Sequence, residues 1–151
     1  MSEEKWLLHA DGASVGNPGP GGAGAVVYDP EGKVRAEVSK YLGPKVTNNE
    51  AEYQGLLEGL KEALKLGVSR LSIRMDSELV VRQVLGIYKV KNERLAVYFQ
   101  EVKALLKNFD SFDIAHVRRE YNREADALAS RAARRRLDQN GQMSDFELEQ
   151  D

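Results

Sequence analysis

The segment TNNEAEYQGLLEGLKEALKLG, residues 47–67, gives the strongest helical signal in the chain. Thr47 and Glu50 have the spacing of a capping box, in which each side chain accepts a hydrogen bond from the other residue's backbone N–H. The apolar residues that follow recur with the helical period, and they are Ala51, Leu56, Leu57, Leu60, Ala63 and Leu64. Gly67 supplies a C-terminal stop. We therefore predict an amphipathic helix that packs one face against a core.

Strands are predicted on both sides of this helix. Those upstream are residues 6–10, 23–28 and 33–42, separated by a Gly/Pro-rich loop at 12–21 and a hairpin turn at 29–32. The elements downstream are strand 71–75, helices 78–85 and 93–107, strand 112–116 and helix 124–137. This order predicts an α/β fold with a five-stranded mixed sheet, in which the first three strands are antiparallel.

The length and composition are those of one globular domain, which we place at residues 1–137. No apolar run approaches the roughly 18 residues that indicate a membrane span. The first five residues lack the hydrophobic region of a signal peptide. Cysteine is absent, which excludes disulfides and thiolate metal sites. We expect a cytoplasmic protein that does not enter a membrane, and no sequence feature calls for an obligatory protein partner, so we expect a monomer.

The net charge of −2 neither supports nor excludes contact with phosphates. Residues 141–151 hold four acids and no basic residue, and without them the chain has 22 basic against 20 acidic residues. Residues 138–151 are polar and are expected to form a disordered acidic tail.

Four acids fall where separate predicted elements begin or end. Asp11 and Asp76 follow the ends of two strands, while Glu52 and Asp126 lie in the first turns of two helices. Each position alone fits a commonplace role, because acids favour helix N-termini and turns.

The two helical acids, however, lie in line with apolar positions. Glu52 shares a stripe with Leu56 and Leu60, and Asp126 lines up with Ala129. Carboxylates that lean toward a core need compensation, because an isolated buried charge is costly. Oxygen ligands without cysteine suit Mg²⁺ or Mn²⁺, and a carboxylate cluster with two such ions can cleave phosphodiesters. The pattern therefore predicts a possible divalent-metal site.

Over about residues 5–136 the chain resembles the type 1 ribonuclease H family. The matching segments are DGAS (11–14) with NPGPG (17–21), TNNEAE (47–52), MDS (75–77) with LV (79–80), and NREADALA (122–129). Each segment is modestly specific, but all four in order are highly specific. The resemblance implies the ribonuclease H-like fold, with helices on both faces of the sheet. It also implies an endonuclease that hydrolyses the RNA strand of RNA–DNA hybrids, leaving 5′-phosphate and 3′-hydroxyl ends.

The resemblance also implies site residues. Asp11 would bridge two Mg²⁺ or Mn²⁺ ions, Asp126 would hold the ion that activates water, and Glu52 and Asp76 would hold the other. The substrate contacts implied or expected at the same site are Gly12, Ser14, Asn17, Asn48, Asn49, Arg118 and Asn122. Such contacts to 2′-hydroxyls are what distinguish RNA from DNA.

Two features depart from many relatives. Residues 117–123 contain no histidine, where a mobile loop commonly supplies one; Arg118 or Arg119 is our hypothesis for its replacement. Residues 86–93 hold only two lysines, so the chain resembles a short form that lacks the basic protrusion. Other basic residues could compensate, or could simply form a solvated helix end; they are Arg131, Arg134, Arg135 and Arg136.

Two other functions stay open at this point. The same fold could serve as a non-catalytic nucleic-acid-binding module, since fold does not fix function. A nuclease or transposase acting on DNA is the other alternative. Four intact acids argue against the first, and the segments at 47–49 and 122–129 match the ribonuclease H pattern better than the second. Cleavage of double-stranded RNA in addition to hybrids also stays open.

Overall fold

The structure, a computed structural model, describes residues 4–135. Its elements are β1 (Trp6–Ser14), β2 (Gly19–Tyr28), β3 (Val34–Val46), α1 (Asn48–Lys65), β4 (Arg70–Met75), α2 (Glu78–Val84), α3 (Glu93–Leu106), β5 (Ser111–His116) and α4 (Arg123–Arg134), with a 3-10 turn at Arg119–Tyr121. The predicted order of strands and helices is confirmed. The acidic tail, and the predicted end of the last helix at residue 137, lie outside the described residues.

The five strands form one mixed sheet in the order β3-β2-β1-β4-β5. The pairs β1–β2 and β2–β3 are antiparallel, whereas β4 runs parallel to both β1 and β5. This confirms the predicted mixed sheet with three antiparallel first strands. Because β1 and β4 are parallel neighbours, their carboxyl ends meet at the same edge of the sheet.

Helices cover both faces of the sheet. On one face, Leu8 of β1 and Ala25 of β2 belong to the same buried cluster as Leu60 of α1, and α3 packs on α1 through the stacked rings of Tyr53 and Tyr98. On the other face, α4 lies against β1 and β2. Successive side chains along each strand point to opposite faces of the sheet, so one strand contributes residues to both packed faces.

The predicted capping box at the start of α1 is present. The Thr47 hydroxyl accepts from the Glu50 N–H at 3.1 Å, and Glu50 Oε1 accepts from the Thr47 N–H at 2.9 Å. These bonds satisfy two backbone donors that an uncapped helix would leave without partners. The first turn of α1, which carries Glu52, is thereby fixed.

The predicted loop at residues 12–21 is wrong. β1 continues to Ser14 and β2 begins at Gly19, so only the short turn at 15–18 remains outside the strands. Glycine and proline suggested a turn, because they are the commonest turn formers. Here the glycines instead permit close packing. A Cβ on Gly12 would overlap the backbone of α1 at Ala51.

The same close packing occurs on the opposite face. A Cβ on Gly24 would overlap the Ala125 carbonyl and the Ala129 backbone nitrogen of α4. Gly22 lies equally close to the next turn of that helix. Both helices therefore approach β1 and β2 with backbone against backbone, which brings their N-terminal turns to the edge where β1 ends.

No helix within residues 4–135 is both long and apolar enough to cross a membrane.

Gly24→Ala is expected to lower the free energy of unfolding by about 2 kcal/mol or more, because the added methyl meets rigid helix backbone. Gly59→Ala is the matched control. The nearest contacts of its methyl are side-chain atoms, the flexible end of Leu8 and the Ala25 Cβ at 3.2 Å, and alanine gains helix propensity, so its loss should be smaller than that of Gly24→Ala. Urea unfolding at equilibrium measures both values. Equal losses in the two variants would contradict the close-packing explanation.

Candidate active site

The four predicted carboxylates line one open cleft at the edge of the sheet. Ala10 of β1 is in register with Met75 of β4, so Asp11 and Asp76 are the next residues along two adjacent parallel strands. Glu52 reaches the same place from the first turn of α1, and Asp126 from the first turn of α4. Four residues that are distant in sequence are thus brought together by the strand order and by the close approach of both helices.

Three of the four acids form a compact group. One carboxylate oxygen from each of Asp11, Glu52 and Asp76 lies within 4.8 Å of the other two. Asp11 is at the centre of the cleft and is only 3% exposed. Asp126 lines the cleft beside this group without belonging to it. Such a group of oxygen donors could hold a divalent cation.

Hydrogen bonds from neighbouring residues orient the carboxylates of Glu52 and Asp126. The Gly12 N–H donates to Glu52 Oε1 at 2.9 Å, so the absence of a side chain at Gly12 serves both packing and this bond. On the other side, Arg119 Nε and Nη2 each donate to an Asp126 carboxylate oxygen at 3.4 Å. The Asp126 carboxylate raises the pKa of Arg119, so this guanidinium stays charged.

Burial and like charges disfavour ionisation at the centre of the cleft. Burial raises the pKa of Asp11 above its ordinary value, and the neighbouring Glu52, Asp76 and Asp126 side chains raise it further. Burial also raises the pKa of Glu52, partly offset by its hydrogen bonds with Asp11 and with the Gly12 N–H. A divalent cation would relieve this repulsion, because it favours the ionised carboxylates that bind it. The donor set, which is all oxygen, fits Mg²⁺ or Mn²⁺.

Five of the seven predicted substrate-contact residues line two adjoining hollows. Gly12, Ser14 and Asn48 line the cleft with the carboxylates. A second hollow is lined by Asn17, Thr47, Asn48, Asn49, Glu50, Asn92, Arg94 and Leu95. Asn48 lines both, so the two hollows are neighbours. Asn17 Oδ1 accepts from the Asn48 N–H at 3.0 Å and ties the turn after β1 to the start of α1.

Arg118 and Asn122 do not line either hollow. Arg118 is exposed, before the 3-10 turn, and it is Arg119 that reaches the cleft, so substrate contact by Arg118 remains a prediction. Asn122 is fully buried beneath the cleft. Of the basic residues near the end of α4, Arg134 lines the cleft, whereas Arg136 lies outside the described residues.

The two hollows are also lined by three residues that were not predicted from the sequence, Asn92, Arg94 and Ser130. Ser130 lies one turn after Asp126 on α4, and the helical period could have indicated it. Asn92 caps α3 by accepting from the Leu95 N–H at 3.0 Å, and Arg94 lies 3.3 Å from the buried Glu50 carboxylate. Their place beside α1 depends on how α3 packs, which no local signal reveals.

Known proteins are similar to this chain over most of its length. A family model described as reverse transcriptase-like matches residues 9–132. Ribonuclease HI of Halobacterium salinarum is 39% identical over 127 residues, which cover 83% of this chain and 63% of that protein. Mycobacterial relatives are 42% identical, and the chain spans about a third of their length, 35%.

Solved structures share the fold. The N-terminal RNase H domain of Rv2228c from Mycobacterium tuberculosis has a TM-score of 0.84 and 42% identity, covering 87% of this chain and 94% of that one. LC11-RNase H1, solved in complex with an RNA/DNA hybrid, has a TM-score of 0.78 and 36% identity, covering 83% and 94%. The ribonuclease H-like fold expected from the sequence is therefore confirmed.

In EDTA, Asp11→Asn is expected to be more stable than the wild type, by a margin that grows between about pH 5 and about pH 8. The pKa of Asp11 is higher in the folded state than in the unfolded state, so protonation of Asp11 stabilises the folded wild type. This stabilisation is fully present below the unfolded-state pKa of about 3.9 and is lost as the pH rises toward the folded-state pKa. Asparagine has no proton to lose. We expect a margin of roughly 1 kcal/mol or more at the higher pH.

Urea unfolding at the two pH values tests this expectation. Glu101→Gln, which removes an exposed acid of α3, is the control and should show no such margin. A margin for Asp11→Asn that does not change with pH would contradict the electrostatic description of the cleft.

Proposed function

The chain belongs to the type 1 ribonuclease H family, and we propose that it is an endonuclease that hydrolyses the RNA strand of RNA–DNA hybrids. The observation that carries this proposal is the convergence of Asp11, Glu52 and Asp76 within 4.8 Å, with Asp126 beside them, at one edge of the sheet. The similarity to LC11-RNase H1, which was solved with an RNA/DNA hybrid, supports the choice of substrate.

The carboxylates would hold the metal. Asp11, Glu52 and Asp76 offer the oxygens of one group, and Asp126, which lines the same cleft, would add its carboxylate for a second ion. When bound, Mg²⁺ or Mn²⁺ would supply an activated water and stabilise the charge on the leaving oxygen. We propose two ions per site, and products with 5′-phosphate and 3′-hydroxyl ends.

The polar groups around the carboxylates would position the hybrid. Asn48 and Asn49 are exposed at the start of α1, where their amides can bond to 2′-hydroxyl and phosphate oxygens. The second hollow adds the Arg94 guanidinium and the Asn17 and Asn92 amides, a set that suits a backbone phosphate. Because Asn48 lines both hollows, a nucleic-acid strand in the cleft would pass beside the second hollow.

Arg119 is the residue that we assign to the place of the missing histidine. Its guanidinium contacts Asp126 at 3.4 Å and borders the cleft, and its side chain is 75% exposed, so solvent and substrate can reach it. A charged group in that place can bind the phosphate of the cleaved strand and ease product release. The contact with Asp126 is the feature that favours Arg119 over Arg118.

The alternative of a non-catalytic binding module fits the cleft poorly. Without cations, four carboxylates at the centre of a nucleic-acid surface would repel phosphates, and burial makes their charge more costly. A nuclease that acts on DNA alone would use the same acids, so only the choice of substrate separates it from the proposal. A monomeric state and a cytoplasmic location remain predictions.

Incubation with an end-labelled RNA–DNA hybrid and Mg²⁺ or Mn²⁺ is expected to give internal cuts in the RNA strand. EDTA should abolish them, and Asp11→Asn should reduce the rate by at least about 100-fold, the scale on which loss of one electrostatic stabiliser acts. DNA duplex and double-stranded RNA run in parallel as competing substrates. Cleavage of the DNA duplex but not the hybrid would favour the DNA nuclease, and an uncut hybrid with folded protein would favour the binding module.

Arg119→Ala is expected to lower kcat on the hybrid by about tenfold, a barrier increase of roughly 1.4 kcal/mol. Arg118→Ala removes the same charge from the neighbouring exposed position, and its kcat should stay within about twofold of the wild type. Steady-state cleavage at saturating Mg²⁺ measures both. If neither variant changes turnover, Arg119 has no part in the reaction; if Arg118→Ala alone slows it, the assignment belongs to Arg118.

A further inference from the structure

Asn122 lies between the 3-10 turn and α4 and is 0% exposed. We expected this residue to contact the substrate, and the structure instead buries its side chain completely. Its contacts run instead to the elements that carry the carboxylates. Its position beneath the cleft therefore indicates a role other than contact with the substrate.

The side chain of Asn122 joins β1 to the residue that follows β4. Its Nδ2 donates to the Ala10 carbonyl, the peptide group that joins Ala10 to Asp11, at 3.0 Å. The same nitrogen lies 3.4 Å from Asp76 Oδ1, within hydrogen-bonding distance. One amide therefore touches the backbone of β1 immediately before one acid and the carboxylate of a second.

The backbone of Asn122 adds the third acid. Its carbonyl accepts from the Asp126 N–H at 3.0 Å, and this bond belongs to the first turn of α4. Asn122 is thus bonded, within one residue, to the backbone beside Asp11, to the side chain of Asp76 and to the backbone of Asp126. These three acids come from three separate elements.

The orientation of the amide is determined by its surroundings. Both neighbours of Nδ2 are acceptors, so only the donor end of the amide can face them. The acceptor end, Oδ1, is buried and has no hydrogen-bond partner among residues 4–135. An unsatisfied buried acceptor costs stability, and such a group in a folded protein calls for an explanation. An apolar residue here would avoid that cost but could not orient Asp76.

We propose that Asn122 is a positioning residue that fixes Asp11, Asp76 and Asp126 relative to one another, so that their oxygens are arranged for divalent cations before any cation binds. This inference rests on the proposed function, because it presupposes that the acids bind metal. It makes Asn122 an outer partner of the ligands, a class of residue whose loss typically weakens metal affinity or activity by 10–100-fold.

The test measures Mn²⁺ binding by titration calorimetry on the full chain, together with kcat and KM on the hybrid. Asn122→Ala is expected to weaken Mn²⁺ binding by about tenfold or more and to lower kcat, with KM for the hybrid within about twofold of the wild type. Raising the Mn²⁺ concentration should restore part of kcat. Asn122→Ser, which can donate only one hydrogen bond, should show the same pattern and replaces the alanine variant if that variant does not fold.

Ser39→Ala is the control for a purely structural effect. Ser39 also ties the sheet to α4, through a 2.8 Å bond to the Leu128 carbonyl, but it lies outside the cleft. Its loss should lower the free energy of unfolding without changing Mn²⁺ affinity or kcat. An equal loss of Mn²⁺ affinity in the Ser39 variant would reduce Asn122 to a general stabiliser and overturn the proposal.

The outcomes separate this inference from the proposed function. Wild-type Mn²⁺ affinity in the Asn122 variants, beside an active wild-type enzyme, overturns the inference alone. A wild type that binds Mn²⁺ but does not cut the hybrid counts against the substrate, while the Mn²⁺ comparison still decides the role of Asn122. A wild type that binds no Mn²⁺ but cuts the hybrid overturns the inference alone, and one that neither binds Mn²⁺ nor cuts the hybrid with Mg²⁺ or Mn²⁺ overturns both.

Discussion

Close contact between helix and strand backbone is the constraint on which the candidate site depends. Gly12 on one face of the sheet, and Gly22 and Gly24 on the other, leave no room for a side chain between the strands and the two helices. Because α1 and α4 lie so near β1 and β2, their first turns reach the edge at which β1 ends. A methyl group at any of these positions would push a helix away and would carry Glu52 or Asp126 with it.

This packing has an electrostatic cost. It places Asp11 in a buried position among three other acids, where its pKa is raised, so the cleft is unfavourable for the ionised protein alone. The same crowding of carboxylates favours the binding of divalent cations, because a cation is attracted by the negative charges and relieves the repulsion between them. The hydrogen bonds from Gly12, Arg119 and Asn122 keep the acids in place in the meantime, and they distinguish a prepared site from a chance cluster of acids.

The sequence predicts the features that depend on local pattern. The capping box at Thr47, the apolar period of α1 and the order of elements all follow from short-range rules. The four acids are predicted because each falls where a predicted element begins or ends, although β1 continues past Asp11 to Ser14 in the structure. The strands through residues 12–14 and 19–21 are not predicted, since glycine's preference for turns outweighs the distant helices that require it there. The burial of Asn122 and the position of Arg94 depend on contacts across more than 40 residues, which no local rule contains.

The central claim is that the acids form a site for divalent cations, and the most direct measurement is an anomalous difference map. The map would come from crystals of the Asp126→Asn variant with an RNA–DNA hybrid and Mn²⁺. The substitution should slow cleavage while keeping Asp11, Glu52 and Asp76 intact. Mn²⁺ density is expected at about 2.0–2.3 Å from the oxygens of these three residues, with the RNA strand alongside. A folded complex with the hybrid in the cleft and no Mn²⁺ near Asp11 would contradict it.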